Sequence, residues 1–215
     1  MLNFLLTEPL FFFAWLAAIV ISISVHEASH ALAAYQQGDS TAKDLGRLTL
    51  NPFSHLDPWG TLFLVLAGFG WGRPVPFNPH SLRSGKWGPA IVSLAGPASN
   101  IVLAVIFALV LKFLALGSDL TSTNGLVILT KALLQINIVL AVFNLLPLPP
   151  LDGSKLLLAI MPARYLGWYE NLEKYSLYIL IAFILFGSMI LRFLVALLAK
   201  IISLLVGFNV LSVFF

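Results

Sequence analysis

An all-α polytopic membrane protein is the fold class this sequence predicts, and three observations predict it. Of 215 residues, 60% are hydrophobic and only 10% charged, whereas soluble domains carry about 25% charged residues. Mean hydropathy is +0.97. Several apolar runs reach the length of roughly 20 residues that a helix needs to cross the hydrocarbon core. So few charges cannot cover a water-facing surface. Lipid is therefore the main solvent, and residues 1–215 read as one membrane-embedded domain with four to five transmembrane helices.

The same composition excludes other classes. Lys and Arg number 12 against 9 Asp and Glu, and the basic residues are dispersed among apolar runs. No basic face with interleaved aromatics marks a nucleic-acid partner. With no cysteine, disulfides, thiolate metal sites and a cysteine nucleophile are ruled out.

The first run opens at "TEPLFFF". Thr7 suits an N-cap, with Glu8 and Pro9 in the first turn where both are favoured. The run continues to "YQQGD", where Gly38 fits a helix end. It lacks a basic n-region and a small-residue cleavage site, so it reads as a retained helix and not a signal peptide. About 30 residues make roughly 45 Å of helix, against a core of roughly 30 Å, so the helix tilts or projects.

Residues 39–87 form an irregular, membrane-associated segment. "DLGRLTLNP" alternates like a short strand, and "HLDPWGT" and "GWGRPVPFNPH" are rich in turn residues. "LFLVLAGFG" is too short to span and suits a re-entrant piece. A second span covers about 87–116 and a third about 125–146, ended by the prolines of "LPLPPLDG". The C-terminal helices, 175–215, hold one span to about Leu191, and the apolar stretch after Arg192 is a short span or an interfacial helix. Lys43, Arg47, Arg73, Arg83 and Lys86 lie between spans one and two, and Lys155, Arg164 and Lys174 follow span three. The positive-inside rule puts both loops in the cytoplasm and the N-terminus outside, as in a multi-pass cell-membrane protein.

Within the first span stands "HEASH". On a helix, His26 and His30 are one turn apart on one face and able to share a metal ion. Glu27 is offset by one position, beside the metal without ligating it. A water activated by zinc needs such a base as it attacks a carbonyl. H-E-x-x-H arises by chance in soluble chains, but an ionisable residue at the centre of a membrane costs about 2.5 to 3.5 kcal/mol and usually marks function. Three in five positions are hard to explain as tolerated polarity. The small residues around them, including Ser22, Ser24, Ala31 and Ala34, predict that this face points into the bundle.

A catalytic zinc usually has three protein ligands and one open position. Asp152, in "NLLPLPPLDGSK", is the best third ligand, because irregular backbone at membrane depth is tolerated where it lines a cavity. The bland alternative is a loop aspartate capping the turn before Gly153. Topology supports the ligand, since both halves of the site fall at the cytoplasmic end of their spans. Charge does too: Zn2+ with Asp152, ionised Glu27 and two neutral histidines sums to zero, which eases burial.

"HEASH", "GRLTLNPFSHLDPWGT", "AGPASN" and "NLLPLPPLDG", in this order, resemble the site-2 proteases, which are zinc intramembrane proteases. The resemblance covers most of residues 20–160. It implies that His26, His30 and Asp152 bind one Zn2+ per chain, that Glu27 is the catalytic acid/base, and that a transmembrane protein substrate is cut near the cytoplasmic face. PDZ and CBS domains of larger relatives have no room here, and a span before the H-E-x-x-H helix is absent, so the chain looks like a minimal member.

Asn144 and, more loosely, Asn100 are amides that would hold a substrate carbonyl or developing oxyanion charge, although asparagines also bridge membrane helices. His55 reads as a loop histidine or one near the substrate; His80 has no role. A helical substrate must unwind to be cut, and "GRLTLNP" is the expected strand edge to hold it. Two rivals remain: a zinc transporter, which has no use for Glu27 as a base, and a non-catalytic membrane scaffold keeping zinc for stability.

Overall fold

The computed structural model describes residues 2–67, 70–117 and 123–214. The chain begins with a one-and-a-half-turn helix α1 (Leu2–Thr7) and the long α2 (Pro9–Gln36). Thr7 therefore closes α1, and Glu8 takes the N-cap of α2, without a side-chain cap hydrogen bond. Pro9 explains the shift: its fixed φ suits the first helical position and it has no N–H to cap. At the other end Gly38 has φ +102°, the left-handed conformation that lets the chain leave the helix.

The irregular segment carries the short α3 (Thr41–Asp44) and α4 (Pro58–Ala67). The strand expected over "DLGRLTLNP" does not form: residues 45–51 are turns and bends. Gly46, with φ +68°, turns the chain there, and the Asn51 side chain caps a 3-10 turn over Pro52–Ser54 instead of pairing. Among the described residues the one β-type contact is an antiparallel bridge between Leu56 and Gly72. Of the expected re-entrant stretch, α4 is helical; Gly68 and Phe69 lie outside the described residues.

The next two spans match expectation closely, as α5 (Gly88–Gly117) and α6 (Gly125–Leu145). After the proline run come α7 (Gly153–Ile160), α8 (Leu166–Lys174), α9 (Ser176–Phe186) and α10 (Ser188–Val206). The tail departs from the sequence reading. The break falls at Gly187, before Arg192, so α9 is too short to span and α10 is the fourth apolar helix long enough to cross a membrane. A Cβ at Gly187 would sit 2.6 Å from the Phe183 ring, so only glycine allows this close turn.

Helices α2, α5 and α6 pack on one another, and α10 leans on α5 and α6. Small residues let the backbones approach: Ala104 and Ala108 of α5 and Ala199 of α10 are fully buried beside Leu134 and Ile138 of α6. A second core joins Ala18 and Ile19 of α2 to Ala132, Leu133 and Ile136 of α6. Large apolar side chains such as Phe13, Phe113, Phe186 and Met189 point outward, as a lipid-facing surface requires.

Candidate active site

The polar face of α2 meets α5 and the connection after α6. His26 and His30 are buried, and their Nε2 atoms lie 3.0 Å apart. Asp152 comes to them from 122 residues further on: its Oδ2 is 3.2 Å from His26 Nε2 and 3.3 Å from His30 Nε2. Asp152 occupies the N-cap position of α7 but makes no capping hydrogen bond. The turn-capping alternative is thus not what this carboxylate does.

The protonation of both imidazoles follows from their neighbours. His30 Nδ1 lies 2.7 Å from the Val92 carbonyl oxygen, an acceptor only, so Nδ1 carries the proton. For His26 the chain of logic is longer and starts at a backbone carbonyl. Asn137 Nδ2 donates to Leu133 O at 2.8 Å and to Ser22 Oγ at 2.8 Å. Its Oδ1 therefore accepts from Asn100 Nδ2 at 2.7 Å. That orients Asn100 Oδ1 toward His26 Nδ1, 2.6 Å away, which must donate. With both Nδ1 atoms protonated, each ring has Nε2 toward Asp152 and, when neutral, offers a lone pair there.

Two lone pairs 3.0 Å apart repel unless a cation lies between them and the carboxylate. Ligand atoms of a tetrahedral zinc with bonds of about 2.0–2.1 Å are separated by about 3.3 Å, and the observed triangle has edges of 3.0, 3.2 and 3.3 Å. Hard oxygen with two imidazole nitrogens is also a donor set that suits zinc. The residues present fit the ion.

Gly96 of α5 faces this triangle. A Cβ there would stand 2.4 Å from His30 Nε2 and 2.6 Å from His26 Nε2, so the "AGPASN" turn of α5 must have glycine to pass the imidazoles. Pro97, next along, is fully buried and offers no N–H to the Ser93 carbonyl four residues back.

A cleft of about 400 Å3 opens over the triangle. Its walls include His26, Glu27, His30, Asp152 and Asn144 and, from the irregular segment, Gly72, Pro74, Val75 and Phe77. Glu27 Oε2 accepts a hydrogen bond from the Val75 amide at 3.2 Å, and Gly72 backs Glu27 Oε1, with room for a Cβ only 3.9 Å away. Asn144 reaches the cleft with one amide hydrogen spent on Leu140 O at 3.0 Å. Asn100 is elsewhere: fully buried, it holds His26 and faces no cleft. His55 is also fully buried, with Nε2 2.7 Å from Thr49 O, while His80 is exposed.

A helical scaffold with this His–His–Asp triangle and an adjacent glutamate has the make-up of a metallopeptidase, and comparison with known proteins agrees. The family model for peptidase family M50 matches residues 118–187. The chain is 42% identical over 161 residues to YwhC of Bacillus subtilis, whose name marks it as a candidate zinc metalloprotease, and the match spans 74% of each chain. It is 34% identical over 144 residues to the similarly named Rip2 of Mycolicibacterium smegmatis, covering 64% of this chain and 53% of that one. Zinc metalloprotease MJ0392 of Methanocaldococcus jannaschii is 23% identical over 161 residues, 75% of this chain and 38% of its own. No solved structure matches. The chain belongs to peptidase family M50, the site-2 proteases, and is a zinc metalloprotease.

Proposed function

We propose that this protease cuts peptide bonds in or beside the transmembrane segments of other proteins, with one Zn2+ held by His26, His30 and Asp152 and with Glu27 moving the protons. The observation that carries the reading is the ligand triangle itself, assembled by α2 and the proline-broken connection after α6 at one end of the apolar helices. A zinc ion there supplies Lewis acidity, which makes a water molecule acidic enough to ionise near neutral pH. Glu27 Oε takes the proton from the attacking water, and then returns it to the leaving amine nitrogen. Asn144 retains a second amide hydrogen for the scissile carbonyl as it gains negative charge. The substrate unwinds and lies beside Gly72, Pro74, Val75 and Phe77, which line the cleft.

The site opens at the end of the bundle that carries both basic loops, so cleavage occurs on the cytoplasmic side with the N-terminus outside. Reconstitution with a transmembrane peptide tests the reading. Glu27→Gln retains zinc and loses cleavage by at least about a thousandfold, a loss in the range for a catalytic base and its proton transfers. Full cleavage by that variant would end the proposal, and equal zinc flux through both proteins would favour the transporter.

A further inference from the structure

Arg47 is an arginine with 5% of its surface exposed, in an irregular segment next to the cleft. A buried guanidinium is costly unless its hydrogen bonds are met. Here Nη2 donates to the carbonyls of Arg73 and of Pro74, the latter at 3.2 Å, while Nε is buried without a partner. These carbonyls belong to the stretch from Gly72 to Phe77, part of which lines the cleft. Its start is tied by Arg73 N–H donating to His55 O at 2.7 Å and its end by Asn78 N–H donating to Asp39 Oδ2 at 2.6 Å. Between those ties, Arg47 and Glu27 hold it.

The stretch reads Pro74-Val75-Pro76. Prolines have no N–H, so Val75 supplies the single amide hydrogen of the three residues. That hydrogen goes to Glu27 Oε2. Gly46, with φ +68°, turns the chain just before Arg47. Burial pushes the guanidinium down from its ordinary value, and Arg73 adds to this, while the Glu27 carboxylate opposes both. The two charges are thus close enough to feel one another without an ion pair forming.

We propose that Arg47 is a positioning residue for proteolysis: by holding the Arg73 and Pro74 carbonyls it fixes the Val75 amide against Glu27 and so aims that carboxylate. The role rests on Glu27 being the proton carrier. The motif "GRLTLNP" then matters for its arginine, in place of the strand expected of it.

The test uses the full-length protein in proteoliposomes with a transmembrane peptide, comparing R47M, R47K, V75P, R47M/V75P and E27Q. R47M and V75P each lower kcat about 10- to 100-fold, the cost of a misaimed catalytic group, with KM within about twofold and zinc content unchanged. The double variant is no slower than the slower single one, because both act through one carboxylate, and R47K recovers part of the rate. In zinc-stripped protein, deuterium exchange of peptides covering 72–78 is faster for R47M than for the parent. Wild-type kcat in R47M, a loss confined to KM, or multiplying losses in the double variant would overturn the role of Arg47. If R47M does not fold, V75P and R47K decide: undiminished kcat in both overturns it. Cleavage by E27Q would instead remove the reading of Glu27, an outcome distinct from any of these.

Discussion

Asn100 shows how much of a metal site lies one contact beyond its ligands. Its carboxamide fixes which nitrogen of His26 carries the proton, and Asn137 and Ser22 fix Asn100 in turn. Removing such a partner typically costs 10- to 100-fold in metal affinity. Asn100→Ala is therefore expected to weaken zinc binding by about that factor, read by chelator competition, while Asn144→Ala leaves affinity within about twofold and acts on kcat. His26, His30, Glu27 and Asp152 stood out as candidates because polar side chains in an apolar chain are conspicuous, and His26, His30 and Asp152 do come together. The work of Asn100 did not stand out, since a membrane asparagine reads equally well as a helix bridge and its partner is 74 positions away. A signal existed all the same: Gly96 and Asn100 are four apart, one face of α5, a glycine for close approach beside an amide for contact.

At the scale of elements, the first three spans were readable from hydropathy, while the segment between the first two and the division of the tail were not. Alternation over residues 45–51 imitates a strand, but Gly46 and the Asn51 cap divert that backbone. The stretch beside the cleft is 72–77, where Pro74 and Pro76 remove two amides and so interrupt any strand pattern. Its far end is tied to the connection between α2 and α3 by Asp39, which also accepts from Thr41 N and Oγ1 at 3.1 and 2.6 Å. Burial works to raise the Asp39 carboxyl, and hydrogen bonds from Thr41 and Asn78 outweigh it, leaving it below its ordinary value of 3.8. A carboxylate depressed in the folded state stabilises above the unfolded value, and this contribution fades as pH falls below 3.8 toward the folded value. Asp39→Asn is expected to lower the melting temperature by about 5 °C at pH 7. The gap to wild type should narrow in a second melt near pH 3.

For the whole molecule, composition alone indicated lipid as solvent, and four long apolar helices with outward-facing Phe and Leu accord with it. What composition could not convey is that α9 and α10 part at Gly187, since a run apolar on both sides of a glycine gives no periodic cue. The His26–His30–Asp152 group joins α2 to the connection after α6, so an ion held there would act as a tie across the bundle. A ligand present at a thousand times its Kd adds about 4 kcal/mol to the state that binds it. Zinc at that excess should raise the melting temperature of the wild type in detergent by about 8–16 °C. Asp152→Ala should show little of the rise, and an equal rise in both would show that zinc binds elsewhere.

The order of the pieces along the chain also matters for biosynthesis. Along the chain the imidazoles of α2 come first, their orienting asparagine follows on α5, and Asp152 comes only after α6. A nascent polypeptide still emerging from the ribosome therefore carries an incomplete triad of donors. On the proposed ligand set, the site would stay incomplete until the connection after α6 has been made.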